Sequence, residues 1–161
     1  MTIADATKGA AIYYTTNGAT PTTSSAKYPS AGIKVTTTET IKAIAAAAGY
    51  TNSAVASATY TLATAPSATS KAATSLSTSG ATLNGTVIAN NATSQYWFAY
   101  GATKTSLASA TKKAGALAGT TSTAVTAALT GLKSKTTYYF QVVASNAVGT
   151  TSGTVLSFTT N

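Results

Sequence analysis

Residues 136–144 read TTYYFQVVA, inside the longer run GLKSKTTYYFQVVASNAVGTTSGTVLSFTT (131–160), and their spacing decides the fold class. Tyr138, Phe140, Val142 and Ala144 fall at every second position, the period of a strand that buries one face. Aromatic and β-branched side chains suit a pleated surface better than a helix. A second strand is expected at 154–159. Working outward, 94–100 repeats the pattern with Tyr96, Phe98 and Tyr100 on one face, and 81–87 and 121–129 read the same way. Short strands at regular spacing, separated by Gly, Asn and Ser, predict an antiparallel β-sandwich.

Composition supports an all-β chain and removes most chemistry. Thr, Ala and Ser make up more than half of the 161 residues, and Leu, Ile, Val and Phe only about one in six. So little large apolar content raises disorder as an alternative, but low charge, nine Tyr and abundant β-branched Thr oppose it. Charged residues are 7% of the chain, against roughly 25% in ordinary soluble domains. There are ten Lys, no Arg, no His and no Cys, and Asp5 and Glu39 are the only acids. Disulfides, thiolate nucleophiles, imidazole bases and His/Cys metal sites are thereby excluded. Acid/base catalysis by two carboxylates would need Asp5 to meet Glu39. The chain therefore reads as non-catalytic, with no cofactor and no metal.

The net charge of +8 is thinly spread, and without Arg it lacks the bidentate contacts of nucleic-acid readers. No specific nucleic-acid partner is expected, although a salt-sensitive attraction to acidic polysaccharide or a cell surface is. No apolar stretch is long enough to cross a membrane as a helix. No leader opens the chain at Met1, yet its Cys-free, acid-poor composition suggests an exported protein whose leader was removed or lies outside these residues.

The small-residue stretch ATAPSAT (63–69) marks a boundary. The expected division is a first domain at 1–62, a linker at 63–68 and a second domain at 69–161. In the first domain, strands are expected at 10–15, 32–35, 38–46 and 53–62, with a turn at Asn17-Gly18. Residues 41–48 are alanine-rich, and intrinsic propensity alone favours a short helix there, ending at Gly49.

Two resemblances sharpen this reading. IYYTTNGATPTTSSAKYPSAGIKV (12–35) and TIKAIAAAAGYTNSAVASATYTL (40–62) resemble the small β-sandwich at the C-terminal end of bacterial chitobiases and hexosaminidases. The resemblance implies strand, not helix, at 40–46. Asn17 stands where members usually have Asp. Members also usually begin with an extra Pro- and Gly-containing strand, which these residues lack; the resemblance then implies either a groove open to strand addition by another chain or simply a domain cut at Met1. The expected junction comprises Met1, Thr2, Ile3, Ala4 and Asp5 with Ile12 and Tyr14, beside the strand at 10–15. Residues 66–160 resemble a bacterial fibronectin type III domain, most strongly at 131–160, where Leu132, Thr136 and Tyr138 match the family's arrangement. Tyr138 is then a corner tyrosine bonded to upstream backbone, and Leu83 replaces the family's usual Trp.

The fold expected is thus two tandem antiparallel β-sandwiches, immunoglobulin-like and fibronectin type III-like. Trp97 should point away from Tyr96 and Phe98, and with Tyr28 and Tyr50 it is the candidate contact for a glycan or protein partner. Packing is the competing role for each. The matches Asn84-Gly85-Thr86 and Asn91-Ala92-Thr93 to the glycosylation pattern are expected by chance in so Thr-rich a chain. The functional expectation is a secreted structural protein that self-associates as a filament or surface-layer subunit through strand complementation. The alternatives are a carbohydrate-binding or spacer module of a polysaccharide-degrading enzyme, and a virion surface or tail decoration.

Overall fold

Every regular element of the chain is a strand. The computed structural model describes residues 1–161 and divides into two units, Met1–Leu62 and Ala63–Asn161.

The first unit holds β1 (Ala11–Thr15), β2 (Ala26–Lys27), β3 (Glu39–Ala46) and β4 (Ala56–Tyr60), antiparallel throughout and ordered β2-β1-β3-β4. The registers Ile12↔Ala45, Tyr14↔Ala43, Ala43↔Ala56 and Ile41↔Ala58 put these residues on one face. Pairing on both edges, with Ile41, Ala43 and Ile44 buried, overrides alanine's helical preference in β3. Gly49, at φ +82°, ends the run in a turn. The Asn17-Gly18 turn has Gly18 at φ +76°, and the Asn17 side chain accepts the Ala19 N–H at 3.1 Å.

Irregular backbone, rather than a second regular sheet, covers the apolar face. The Met1 nitrogen donates to the Ile33 carbonyl at 2.9 Å, and the Ile33 N–H donates to the Met1 carbonyl at 3.1 Å. The strand expected at 32–35 reduces to this single pair. Gly32 turns back on Pro29 with φ +81°, and a Cβ there would lie 2.9 Å from the Met1 carbonyl oxygen.

The second unit comprises β5 (Ser67–Thr74), β6 (Ala81–Ile88), β7 (Ser94–Gly101), β8 (Ser109–Ala110), β9 (Ala114–Leu117), β10 (Thr123–Leu129), β11 (Thr137–Ser145), β12 (Thr150–Ser152) and β13 (Leu156–Thr159). One sheet is ordered β10-β6-β5. The other runs β12-β11-β7-β8, with β13 also on β11 and β9 also on β7. Between them lie Leu83, Val87, Val125, Phe98, Phe140, Val142, Ala144 and Phe158, all buried. The alternation expected for 94–100 and 136–144 is therefore the core pattern: Tyr96, Tyr100 and Tyr138 border it, and Leu83 is wholly inaccessible. Phe140 contacts Phe98 and Phe158 with ring centroids 6.4 and 5.9 Å apart. Gly85 completes the packing, because a Cβ on it would come within 3.0 Å of the Thr69 carbonyl oxygen and of Val142 Cγ1.

The linker expected at 63–68 is integral to this second unit. Pro66 is fully buried, Ser67 opens β5, and the Asn90 and Asn146 side chains donate to the Ala65 and Thr64 carbonyls, each at 2.8 Å. Its small, uncharged residues look like a tether in sequence, yet Ser67 and Ala68 open an eight-residue strand by pairing with Ile88 and Val87 of β6.

Candidate functional site

Each unit exposes unpaired backbone at its sheet edges. An unpaired strand edge presents a row of free N–H and C=O groups, which proteins usually blunt with lysine, bulges or very short strands. Most edges here are blunted in that way. β2 has two residues, one of them Lys27, and β12 has three residues. β5 carries Lys71 and a register shift between Lys71 and Thr74. The outer side of β7 is capped by β8 and β9, with Lys112 and Lys113 between them.

Apart from the four-residue β13, two edges have no such protection. β4 reads ASATY and β10 reads TAVTAAL, both terminal in their sheets and both free of charge, Pro and bulge. Ala56, Ser57, Ala58 and Thr59 are exposed, and Val55 just before them is 44% exposed. Beside β4 runs a groove of about 180 Å³ between the Met1–Ile3 backbone and the strand, floored by Ile41 and Ala43 and ending at Tyr60. A smaller hollow of about 80 Å³ continues it past Ala4, Asp5 and Ile12.

β1 has no free edge, because β3 pairs along one side and β2 pairs Tyr13 and Tyr14 on the other, while the Tyr28 N–H donates to the Ile12 carbonyl at 2.8 Å. Met1, Thr2, Ile3, Ala4, Asp5 and Ile12 do line open space, but on the β4 side. Tyr14 does not line either hollow; its ring meets Tyr28 edge-on, with centroids 6.4 Å apart. Tyr28 in turn accepts the Ile3 N–H on its hydroxyl at 3.1 Å, so it pins the N-terminal segment to the sheet. Tyr50 is 72% exposed on the turn after β3.

In the second unit Trp97 lies on the outer face of β7, opposite Val143 of β11, and is half-buried. The Lys113 ammonium sits 4.6 Å from its ring centroid, so one ring face already holds a cation. The Tyr138 hydroxyl accepts the Lys133 N–H at 3.0 Å, five residues upstream. Thr136 donates its hydroxyl to the Ser134 carbonyl at 2.9 Å, and Leu132 packs against the core. The unguarded edges themselves were readable only as uncharged runs at 53–62 and 121–129, since edge position is a property of the sheet order.

Residues 1–59, nearly all of the first unit, match the family model for the Chitobiase/beta-hexosaminidase C-terminal domain. The second unit, three strands against a larger sheet built on β7 and β11, is a fibronectin type III-like sandwich by its own topology. No curated protein matches the chain. Similar solved structures include the sensor domain of the anti-sigma factor RsgI4 from Pseudobacteroides cellulosolvens, at 18% identity over 59% of this chain and 88% of that one, with a TM-score of 0.46. Chicken CNTN1 FN1-FN3 domains align at 16% identity over 94% of this chain and 56% of that one, TM-score 0.42. Three domains of titin align at 13% identity over 92% and 53%, TM-score 0.41.

Proposed function

We propose that this chain is a non-catalytic extracellular structural protein that assembles with copies of itself by strand addition, as a filament or surface-layer subunit. The observation that carries the reading is the pair of unguarded edges, β4 in one unit and β10 in the other, in a molecule whose other edges are shortened, bulged or flanked by lysine. Two different edges meeting head to tail form a heterologous contact, which propagates into an open array unless its rotation closes a ring. Five residues of β4 and seven of β10 are of compatible length for a shared ladder. Each added backbone bond contributes about 0.5–1.5 kcal/mol net. The Cys-free inventory and the family of the first unit support an extracellular setting.

The decisive experiment is light scattering after size exclusion, paired with negative-stain electron microscopy of the intact protein. Filaments or large assemblies are expected; a monodisperse particle of single-chain mass rejects self-assembly.

A carbohydrate-binding or spacer role is the second reading, favoured by the match to a domain of chitin-associated hydrolases. It expects a monomer that is pulled down on insoluble chitin and released by Trp97→Ala. The cation held over Trp97 weighs against the free ring face such stacking needs.

A further inference from the structure

Residues 63–161 contain six lysines and no acid. The topology gathers three of the six at one end of the second unit. β11 leaves that end beside β7 and β13, through Tyr139↔Gly101 and Thr137↔Thr159, and Leu129↔Ala81 places the ends of β10 and β6 there too. The loops 75–80, 102–108 and 130–136 emerge together, and the Leu132 N–H donates to the Ser79 carbonyl at 2.9 Å to tie the first to the third. Lys104 stands at the tip of the hairpin closed by the Thr103↔Ser106 bridge, and Lys133 and Lys135 lie on the third loop. All three are exposed. A terminal carboxylate on Asn161 at this end would still leave an excess of positive charge.

The backbone beneath these lysines is held from several sides. The Lys133 N–H donates to Tyr138, its carbonyl accepts the hydroxyl of buried Thr160 at 2.6 Å, and the Lys135 N–H donates to the Asn161 carbonyl at 3.3 Å. Lys135 sits at φ +50°, a left-handed conformation that Gly or Asn adopts at lower cost. The loop thus carries its charge on a backbone fixed from several sides.

We infer that this end of the second unit is a binding surface for an acidic polysaccharide. Lysines supply point charges on flexible stems, suited to carboxylate or sulfate groups spaced along a chain, and none of the planar fork that reads bases. The three loops carry Ser77, Thr78, Ser79, Thr103 and Thr105 as hydroxyl partners for sugars, and no aromatic side chain on which a base could stack. The inference does not depend on self-assembly.

The test is retention of the intact protein on heparin-agarose and on immobilised polygalacturonate under a salt gradient. Two triple variants remove the same charge: Lys104→Gln, Lys133→Gln, Lys135→Asn at the proposed surface, and Lys71→Gln, Lys112→Gln, Lys113→Gln away from it. The first should elute at roughly half the salt concentration of the parent, the second close to the parent, because Lys71, Lys112 and Lys113 lie away from the loops that would hold the polysaccharide. Equal shifts for the two triples overturn the site, since net charge alone would then explain retention. Replacing the first three by arginine should preserve retention, which separates charge from any loss of fold; loss of retention in that folded variant also overturns it. Duplex DNA that displaces the protein as well as polygalacturonate does, at equal charge concentration, overturns the polysaccharide assignment.

Discussion

Asn146 shows how single polar side chains hold the second unit together. Its amide donates to the Thr64 and Ala89 carbonyls at 2.8 and 3.2 Å, and its oxygen accepts the Val148 and Gly149 N–H groups at 2.9 and 3.1 Å. Asn146→Ala should cost about 2 kcal/mol, since several bonds go and the carbonyls lose partners, and should lower the melting temperature by on the order of 10 °C. Gly85→Ala should destabilise by about 1–3 kcal/mol through overpacking against Val142. Val142→Ala in the same chain should recover part of that loss in a double-mutant cycle; strict additivity would show that the two do not meet. Lys135→Gly relieves the left-handed backbone and should not lower the melting temperature, while still weakening retention on polygalacturonate.

Among the elements, legibility followed side-chain size. Strands rich in Tyr, Phe, Val and Leu were readable almost to their ends: 81–87, 94–100 and 136–144 became Ala81–Ile88, Ser94–Gly101 and Thr137–Ser145. β5 was not legible, because Ser, Ala and Thr fit strand, loop and tether equally well and only the β6 ladder selects one. The same holds for the candidate site. Residues 53–62 read as a strand with Ala54, Ala56, Ala58, Tyr60 and Leu62 on one face, but nothing in them says that β4 ends its sheet and stays uncovered. A lysine on either unguarded edge should act as the lysines of the other edges do. Ala58→Lys, at the groove rim, and Thr126→Lys, on the outer face of β10, should each abolish growth into large assemblies in light scattering, with stability changed by less than about 0.5 kcal/mol for Thr126→Lys.

At the scale of the molecule, those two variants also separate the symmetry of assembly. In a head-to-tail contact, the Ala58→Lys chain keeps a good β10 and the Thr126→Lys chain keeps a good β4. Each alone should be monomeric, and an equimolar mixture should form dimers of one copy of each. Isologous pairing of like edges predicts the opposite, homodimers of either variant alone. Sedimentation of the two chains, separate and mixed, distinguishes these outcomes.

The sequence by itself determined the class of fold, the absence of Cys, His and Arg, and the concentration of positive charge after residue 62. Periodicity and inventory are local properties, written in residue types and their spacing. The tertiary structure alone decided which strands are edges, that the N-terminal segment pairs with Ile33 instead of lying beside β1, and that Lys104, Lys133 and Lys135 share one end. Each of those depends on strand order and on which distant backbone completes a ladder, and chains of small, interchangeable residues carry no local mark of either.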